Sequence, residues 1–466
     1  MGAKRQRASK QMDVRPPASG RPPSPKLPDR DIEASADELI TFHRLFADCF
    51  QRQEQRHWSL FYLCGQLSNI TRKTIEPMVL ELLGVEAQAV RAVQRFIGHN
   101  HWRWETMLER VQELVGLWLG EPEGVVIADG SGFPKQGRHS VGVAPQYCGH
   151  LGKVANCQQG VFLAYASSRG HALLDARLYL PASWFGPAHQ EDRQACGLPE
   201  TVSFQTEPDL ALYMIEHLAA RGQVPFRWVT ADEAYGKTPG FLDGIDQLGK
   251  HYVIEVAADT RAWIHSPPVE PPGPGLLGHR RTRPRVSPQA PPPMALALLA
   301  TQIAPSAWVR RTVRESSKGP VVAEFAALRV TVVRDTLPGP RGWALFQRTL
   351  GSKPEVKYFL SNAPANCPQD TLIRVSTMRW PIETAFEEGK GEVGMDHYET
   401  RSWPGWHHHM AHSIVAHLFL IRLCLTWKKK SGLHRTSSTR ADRSSDRRPG
   451  PSDSRRVSDP ALSPVP

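Results

Sequence analysis

From about residue 35 to residue 120 the apolar residues recur three and four apart, as in ADELITFHRLFADCF and WETMLERVQELVGLWL. That period belongs to amphipathic helices, and with few prolines and short turns it predicts an all-helical N-terminal domain over 35–120. The pattern then changes. GVVIADGSGF is a short apolar run that reads as a strand closed by a turn, and QGVFLAYASS and HALLDARLYLP follow as two more strands joined at RG. DLALYMIEHLAARG reads as a helix ending at Gly222, PFRWVTADEAYG as a buried strand ending in acid, and HYVIEV as a further strand.

Three meandering strands followed by helix-linked strands predict a ribonuclease H-like α/β fold, a mixed sheet flanked by helices. Its first part is expected over 121–264 and its second over 372–430, with an insertion at 265–371. The insertion opens on SPPVEPPGPGLLGHRRTRPRVSPQAPPP, which cannot form a core and reads as a linker. AEFAALRVTVVRDT, WALFQRT and KYFLSNAP then predict a small antiparallel sheet. DTLIRVSTMRWPIETAFEEGKGE and HHHMAHSIVAHLFLIRLCLTW read as two helices that close the core. Residues 1–34 and 431–466 are too rich in Pro, Ser and charge to fold and are expected to be disordered basic tails.

Charge follows the same division. The net charge is +11, and residues 1–30 and 428–466 each contribute +6, so the chain between them is close to neutral. Basic tails can hold nucleic acid by neutralising phosphates. The seven cysteines, Cys49, Cys64, Cys148, Cys157, Cys196, Cys367 and Cys424, are odd in number and form no CxxC pair, which argues against a disulfide framework or zinc ribbon and suits a reducing cytoplasm. No apolar run follows the N-terminal basic residues, so no secretory signal is expected, and no run of 18 apolar residues predicts a membrane span.

The candidate chemistry lies in carboxylates. Asp129 is expected at the end of the first strand and Asp232 at the end of the fourth. Those strands are neighbours in this topology, so both side chains can enter the crevice beyond the strand ends, where ligands of open sheets bind. Two such carboxylates repel unless cations separate them. Magnesium suits the site because it takes oxygen ligands and phosphate oxygens together, and manganese is an alternative. In RWPIETAFEEGKGE, Arg379, Glu383, Glu387 and Lys390 fall along one helical face. Glu383 is expected to complete the cage, with Glu387 its nearest rival, while Arg379 and Lys390 grip phosphates on either side. Glu388 and Glu392 point elsewhere, as surface charges. Two metal ions about 4 Å apart in such a cage activate a water and stabilise the leaving oxygen of an in-line displacement.

Around these acids the chain resembles DDE-type bacterial insertion-sequence transposases. The likeness is carried by ADGSGFPKQGRHSVGVAPQYCGHLGKVANCQQGVFLAYASSRGHALLDARLYLP (128–181), WVTADEAYG (228–236) and RWPIETAFEEGKGEVGMDHYETRSWPGWHHH (379–409), and spans roughly residues 40–425. Many relatives share a Tyr-x2-Arg-x3-Glu-x6-Lys signature. Arg379, Glu383 and Lys390 keep its spacing, which favours Glu383 over Glu387, and Ser376 stands at the Tyr position. The resemblance implies cleavage and strand transfer of double-stranded DNA by Asp129, Asp232 and Glu383 with two divalent ions. It further implies terminal inverted repeats recognised by the N-terminal helices, a target DNA, a homodimer that pairs the two ends, and work at the bacterial nucleoid. The β-rich insertion matches one that in relatives helps hold transposon-end DNA.

Other residues invite a role beside a plainer one. Lys135, Arg138 and His139 follow Asp129 in FPKQGRHSVG; Lys135 and Arg138 are candidates for the scissile strand's backbone, as an alternative to an ordinary exposed loop. Lys153 and Gln146 resemble them more weakly. His407, His408, His409 and His412 have zinc-like spacing but no supporting Cys or acid, so a structural or DNA-backbone role is expected. Trp403 and Trp406 are expected in packing, and Cys148 and Cys157 as small buried residues. No GxxxxGK loop implies ATP. Two rival readings remain: a decayed or domesticated DNA-binding relative, and a metal nuclease of the same fold that cuts without joining strands.

Overall fold

Five helices precede the first strand among the described residues: α1 (Asp29–Arg44), α2 (Gln53–Leu67), α3 (Ile75–Leu83), α4 (Ala87–Gly98) and α5 (Trp104–Leu119). Their apolar stripes meet in an aromatic core. Phe42, Phe46, Phe50 and Phe96 are buried, and Phe96 stacks on Trp102 with ring centroids 5.5 Å apart. Each such side chain contributes about 2–3 kcal/mol by leaving water. The computed structural model describes residues 29–273, 282–314, 319–351 and 353–430; the expected tails, apart from 29–34, and residues 274–281 of the Pro-rich run lie outside it. The chain divides into two compact units, residues 1–421 and 422–466, and the described part of the second is the end of the last helix.

The main sheet is built from β1 (Val125–Pro134), β2 (Ala144–Cys148), β3 (Lys153–Ser167) and β4 (Gly170–Tyr179), then β5 (Trp228–Ala231) and β6 (His251–Tyr252). Short α6 (Gln190–Ala195) and the longer α7 (Glu207–Arg221) stand between β4 and β5, and α8 (Glu233–Gly236) and α9 (Pro239–Gln247) follow β5. β3 runs antiparallel to β1, β2 and β4, whereas β5 pairs parallel with β1, with Ala128 opposite Ala231. β5 in turn pairs parallel with β6. β2 falls in a stretch to which the sequence pattern assigned no element. The sheet is therefore mixed, and the first strand and the strand before Asp232 are neighbours.

Two expected strands behave differently. β1 does not end at Asp129: it runs five residues further, still paired with β3, while its pairing with β5 stops at Ala128. Glycines 130 and 132, expected to close the strand in a turn, instead leave room beside it. HYVIEV is split, β6 staying in the main sheet and β7 (Ile254–Val256) joining a second one.

That second sheet also contains β8 (Arg261–Trp263), β11 (Met294–Ala295), β12 (Val309–Arg314), β13 (Val321–Arg334), β14 (Leu337–Thr349) and β15 (Val356–Ser361). Between β8 and β11 the chain forms a two-stranded ribbon of β9 (Val269–Glu270) and β10 (Arg285–Val286), and α10 (Leu296–Thr301) follows β11. β7 and β8 precede residue 265, so the expected boundary falls inside this sheet. Asp335 and Thr336, both with positive φ, turn β13 into β14.

Three helices close the chain: α11 (Gln369–Thr377), α12 (Trp380–Val393) and α13 (Trp403–Lys430). α12 and α13 cover one face of the main sheet. Phe386 of α12 meets Phe162 of β3, centroids 5.1 Å apart, and Trp406 of α13 lies over Gly160. Residues next to these in β1 and β3 face the other way, toward α7. By length and composition α13 could cross a bilayer, yet residues 405–419 are buried in the protein.

Candidate active site

β1 delivers Asp129. Val125 to Ala128 are fully buried, and the aspartate is the first polar residue after them. It stands opposite Phe162, hence on the α12 face. Oδ1 accepts the Gly130 N–H at 2.8 Å, and Oδ2 accepts from the Arg379 guanidinium at 3.1 Å. Asp232 follows the end of β5, where it caps α8. Its Oδ1 accepts the Ala234 N–H at 2.9 Å and the Tyr235 N–H at 3.4 Å. Such a cap stabilises a helix by about 1 kcal/mol, so Asp232 has a structural duty as well.

Glu383 comes from α12. The sequence from 370 to 392 was expected to be one helix, but Pro381 cannot continue one through its own ring, and the chain breaks between α11 and α12. Arg379 becomes the residue before α12, and its guanidinium also reaches Glu383 at 3.0 Å. It therefore spans Asp129 and Glu383. In this arrangement the Arg379 charge pairs with two carboxylates. Glu387 is exposed and takes no part.

Electrostatics tie the acids together. Burial pushes the Asp129 carboxyl up to about 7; Arg379 pulls it down, and Asp232 and Glu383 push it up. Asp129, Asp232 and Glu383, far apart in the chain, thus act on one another. Among the described residues no three His, Cys, Asp or Glu side chains enclose a point where an ion could sit. The reason is visible: a guanidinium, itself a cation, stands between two of the acids. Carboxylate oxygens are the donor type that a hard divalent cation takes.

The remaining basic candidates divide. Lys390 lies beside β1, its ammonium 3.4 Å from the Gly132 carbonyl and 5.2 Å over the Phe133 ring, and burial lowers its pKa. Lys135 is turned inward rather than toward a DNA backbone. It donates to the Tyr398 carbonyl at 2.9 Å, sits 3.2 Å over that ring, and is lowered to about 7, chiefly by burial. Arg138 is exposed at the loop tip, and His139 pairs with Asp192 at 2.9 Å. Lys153 is exposed, while the Gln146 amide donates to the Cys157 carbonyl. Ser376 is buried and its hydroxyl donates to Ile373.

One surface expectation fails: Glu388 is half-buried and accepts from His417 at 2.9 Å. Of the structural and DNA-backbone roles expected for the histidines of α13, burial fits the structural one: His407, His408, His409 and His412 are buried, as is Trp406.

The sequence reading missed Glu207, Gln159 and Tyr235. Glu207 opens α7, and burial, with Asp232 adding to it, pushes its carboxyl up to about 7. Gln159 donates to it. The one available signal was TEPD at 206–209, which reads only as a helix cap.

Residues 45–320 match the family model described as "DDE superfamily endonuclease". Asp129 and Asp232 lie inside that span, and Glu383 beyond it. The chain is 26% identical over 202 residues to a protein of Microchaete diplosiphon described as "Probable transposase for insertion sequence element IS701". That match covers 42% of this chain and 47% of the relative, so the chain spans about half the length of the curated relative it matches. Among solved structures, the piggyBac transposase synaptic complex with hairpin DNA aligns over 83% of this chain and 69% of its own, at 10% identity and a TM-score of 0.38. The NurA nuclease from Sulfolobus solfataricus aligns over 71% and 92%, at 10% identity and a TM-score of 0.25. Similarities that low carry no argument.

Proposed function

The chain belongs to the DDE superfamily of endonucleases, and from that premise we propose that it is a transposase that cuts and rejoins the DNA ends of an insertion sequence. The observation that carries this reading is Arg379, which pairs Asp129 of β1 with Glu383 from the far end of the chain, while Asp232 follows the end of the strand parallel to β1. A ribonuclease H-like domain is the fold this reading assigns to the main sheet and to the helices on its two faces.

Asp129, Asp232 and Glu383 are the groups that would hold divalent ions. Two such ions supply a nucleophile at neutral pH and charge stabilisation for the leaving oxygen. The protein's own part is positional. β1 carries Asp129 and the end of β5 leads into Asp232, whose cap on α8 leaves one of its oxygens free of that bond. Arg379 neutralises Asp129 and Glu383 while the site waits. A DNA phosphate competes for that guanidinium, and its withdrawal uncovers both carboxylates. Lys390, held against β1 on the same side, is placed to meet a neighbouring phosphate. Double-stranded transposon ends and target DNA are the substrates in this reading, a homodimer pairs the ends, and the helical region contributes to recognising them.

The test is a supercoiled plasmid carrying the terminal repeats that flank the coding region, incubated with the full chain and Mg²⁺. Nicking, followed by products with 3′-ends joined to target DNA, supports the proposal; Asp129→Asn should abolish both. Binding without nicking, indifferent to Asp129→Asn, identifies a decayed relative. Nicking without joined products identifies a nuclease that does not transfer strands.

A further inference from the structure

We propose that Lys73, in the connection between α2 and α3, is a positioning residue for α12: its buried ammonium ties the C-terminal end of that helix to the C-terminal end of α2. The inference rests on the reading of the cleft as the reacting site, because α12 carries Glu383 and Lys390. Lys73 acts through the helix it holds.

A lysine in a connection between helices ordinarily keeps its ammonium in water. Lys73 is 7% exposed. An ammonium has three protons to give, and three backbone carbonyls take them here: Gln66 at 2.6 Å, Ser68 at 2.7 Å and Glu392 at 2.6 Å. Gln66 belongs to the last turn of α2 and Ser68 caps it, whereas Glu392 is next to last in α12. The last carbonyls of a helix have no partner inside it and carry the negative end of its dipole. One cation therefore satisfies two helix ends, one of them 319 residues further along the chain. The backbone adds to the contact. The Lys73 N–H donates to His397 Nδ1 at 3.1 Å, in the segment that follows α12. Gly394, the cap of α12, has a φ of 68°, and a Cβ there would stand 2.8 Å from the Lys73 Cβ. Glycine permits both that conformation and that approach.

The anchor is well fixed. α2 is fastened to α13 by the Tyr62 hydroxyl on His409 at 2.7 Å, the Ser59 hydroxyl on His412 at 3.1 Å and the Gln66 amide on the Ser413 hydroxyl at 2.8 Å. α12 lacks such continuity at its start, where the chain breaks from α11 at Met378 and Arg379. Lys390 and Glu383 precede Glu392 by about 3 and 14 Å along the helix axis. A slip of the helix at Glu392 is therefore passed to both. The Lys390 ammonium lies 3.4 Å from the Gly132 carbonyl, and Glu383 lies 3.0 Å from the Arg379 guanidinium, only while α12 keeps its place.

The experiment compares the wild-type full chain with Lys73→Met, Lys73→Arg and Arg72→Met. It reads hydrogen exchange of the α12 amides against those of β1 and β3, DNA binding by gel shift, and nicking of the supercoiled plasmid over a range of Mg²⁺ and DNA concentrations. Lys73→Met keeps an unbranched stem but gives no proton. It should speed exchange in α12 about tenfold while β1 and β3 exchange as in the wild type. It should also slow nicking at saturating DNA by about tenfold to a hundredfold, with unchanged DNA affinity and a higher Mg²⁺ concentration for half-maximal rate. A residue that served only folding would instead lower nicking and DNA binding together and leave the Mg²⁺ midpoint where it was. Lys73→Arg, which keeps the charge and its donors, should fall between and carries the comparison if Lys73→Met does not fold. Arg72→Met removes an exposed ion pair with Glu399, 2.9 Å long, and should change none of these readouts. If α12 exchanges in Lys73→Met as in the wild type, or loosens without slowing nicking, the proposal is overturned. If the wild type itself does not nick, the transposase reading fails, while the exchange of α12 still decides whether Lys73 holds that helix.

Discussion

Two clusters of titratable side chains lie on the same face of the main sheet, and they solve burial in opposite ways. In the cleft, Asp129 and Glu383 share a guanidinium, and Asp232 follows the end of the neighbouring strand. Along α13, the histidines pack against the N-terminal helices. His408 stacks on Trp102 at 3.8 Å and bonds the carbonyls of Ile97 and Trp102, and His409 meets the Tyr62 hydroxyl at 2.7 Å and the Met395 carbonyl at 3.0 Å. His408, His409 and His412 have neutral partners for both ring nitrogens, and burial lowers them, to about 4 for His408 and about 3 for His409 and His412. Besides Arg379, Asp129 has Asp232 and Glu383 as charged neighbours. Buried titratable groups with neutral partners are satisfied core, whereas those beside like charges are the candidates for function.

The largest expected break in this contrast is Asp129→Asn, which should cut DNA nicking by a thousandfold or more, about 4 kcal/mol of barrier, while leaving DNA binding in a gel-shift assay intact. Next, His409→Ala should cost about 3 kcal/mol of unfolding free energy through a cavity and stranded Tyr62 and Met395 partners, read by urea denaturation. Its Mn²⁺ affinity should stay that of the wild type.

The pH dependences should have opposite signs. Folding depresses the histidines below their unfolded value near 6.5, so the stability they supply is present above that pH and is lost as pH falls toward 3–4. Folding raises Asp129, so its ionisation costs stability as pH rises from about 4 through 7. Asp129→Asn should therefore raise the melting temperature more at pH 8 than at pH 5. A variant that gained equally at both would show that Asp129 is not raised. The smallest effect is expected at Glu387→Gln. This exposed neighbour should change nicking less than twofold, whereas Glu383→Gln should match Asp129→Asn.

Much of the cleft was legible in order along the chain. A run of Val and Ile ending in Asp predicts an acid at a buried strand's mouth, and that logic found Asp129 and Asp232. Helical spacing left Glu383 and Glu387 on one face and the transposase resemblance favoured Glu383, and it is Glu383 that touches Arg379. Other residues were legible as types but not as partners. Lys135 reads as an exposed basic residue until Tyr398 folds over it, and Glu388 reads as surface charge until His417 arrives from the next helix. Pro381 was visible, yet its break in the helix was passed over.

The sequence by itself determined the alternation of helices and strands, the adjacency of the strands that carry the two aspartates, and the neutrality of the chain between its basic ends. These depend on local period and on connection rules, which a chain carries along its length. Only the tertiary structure decided that Arg379 bridges two acids instead of facing outward, that the histidines are neutral core, and that Lys73 joins the ends of α2 and α12. Those outcomes depend on which side chains share a low-dielectric space, and that is settled by packing across hundreds of residues.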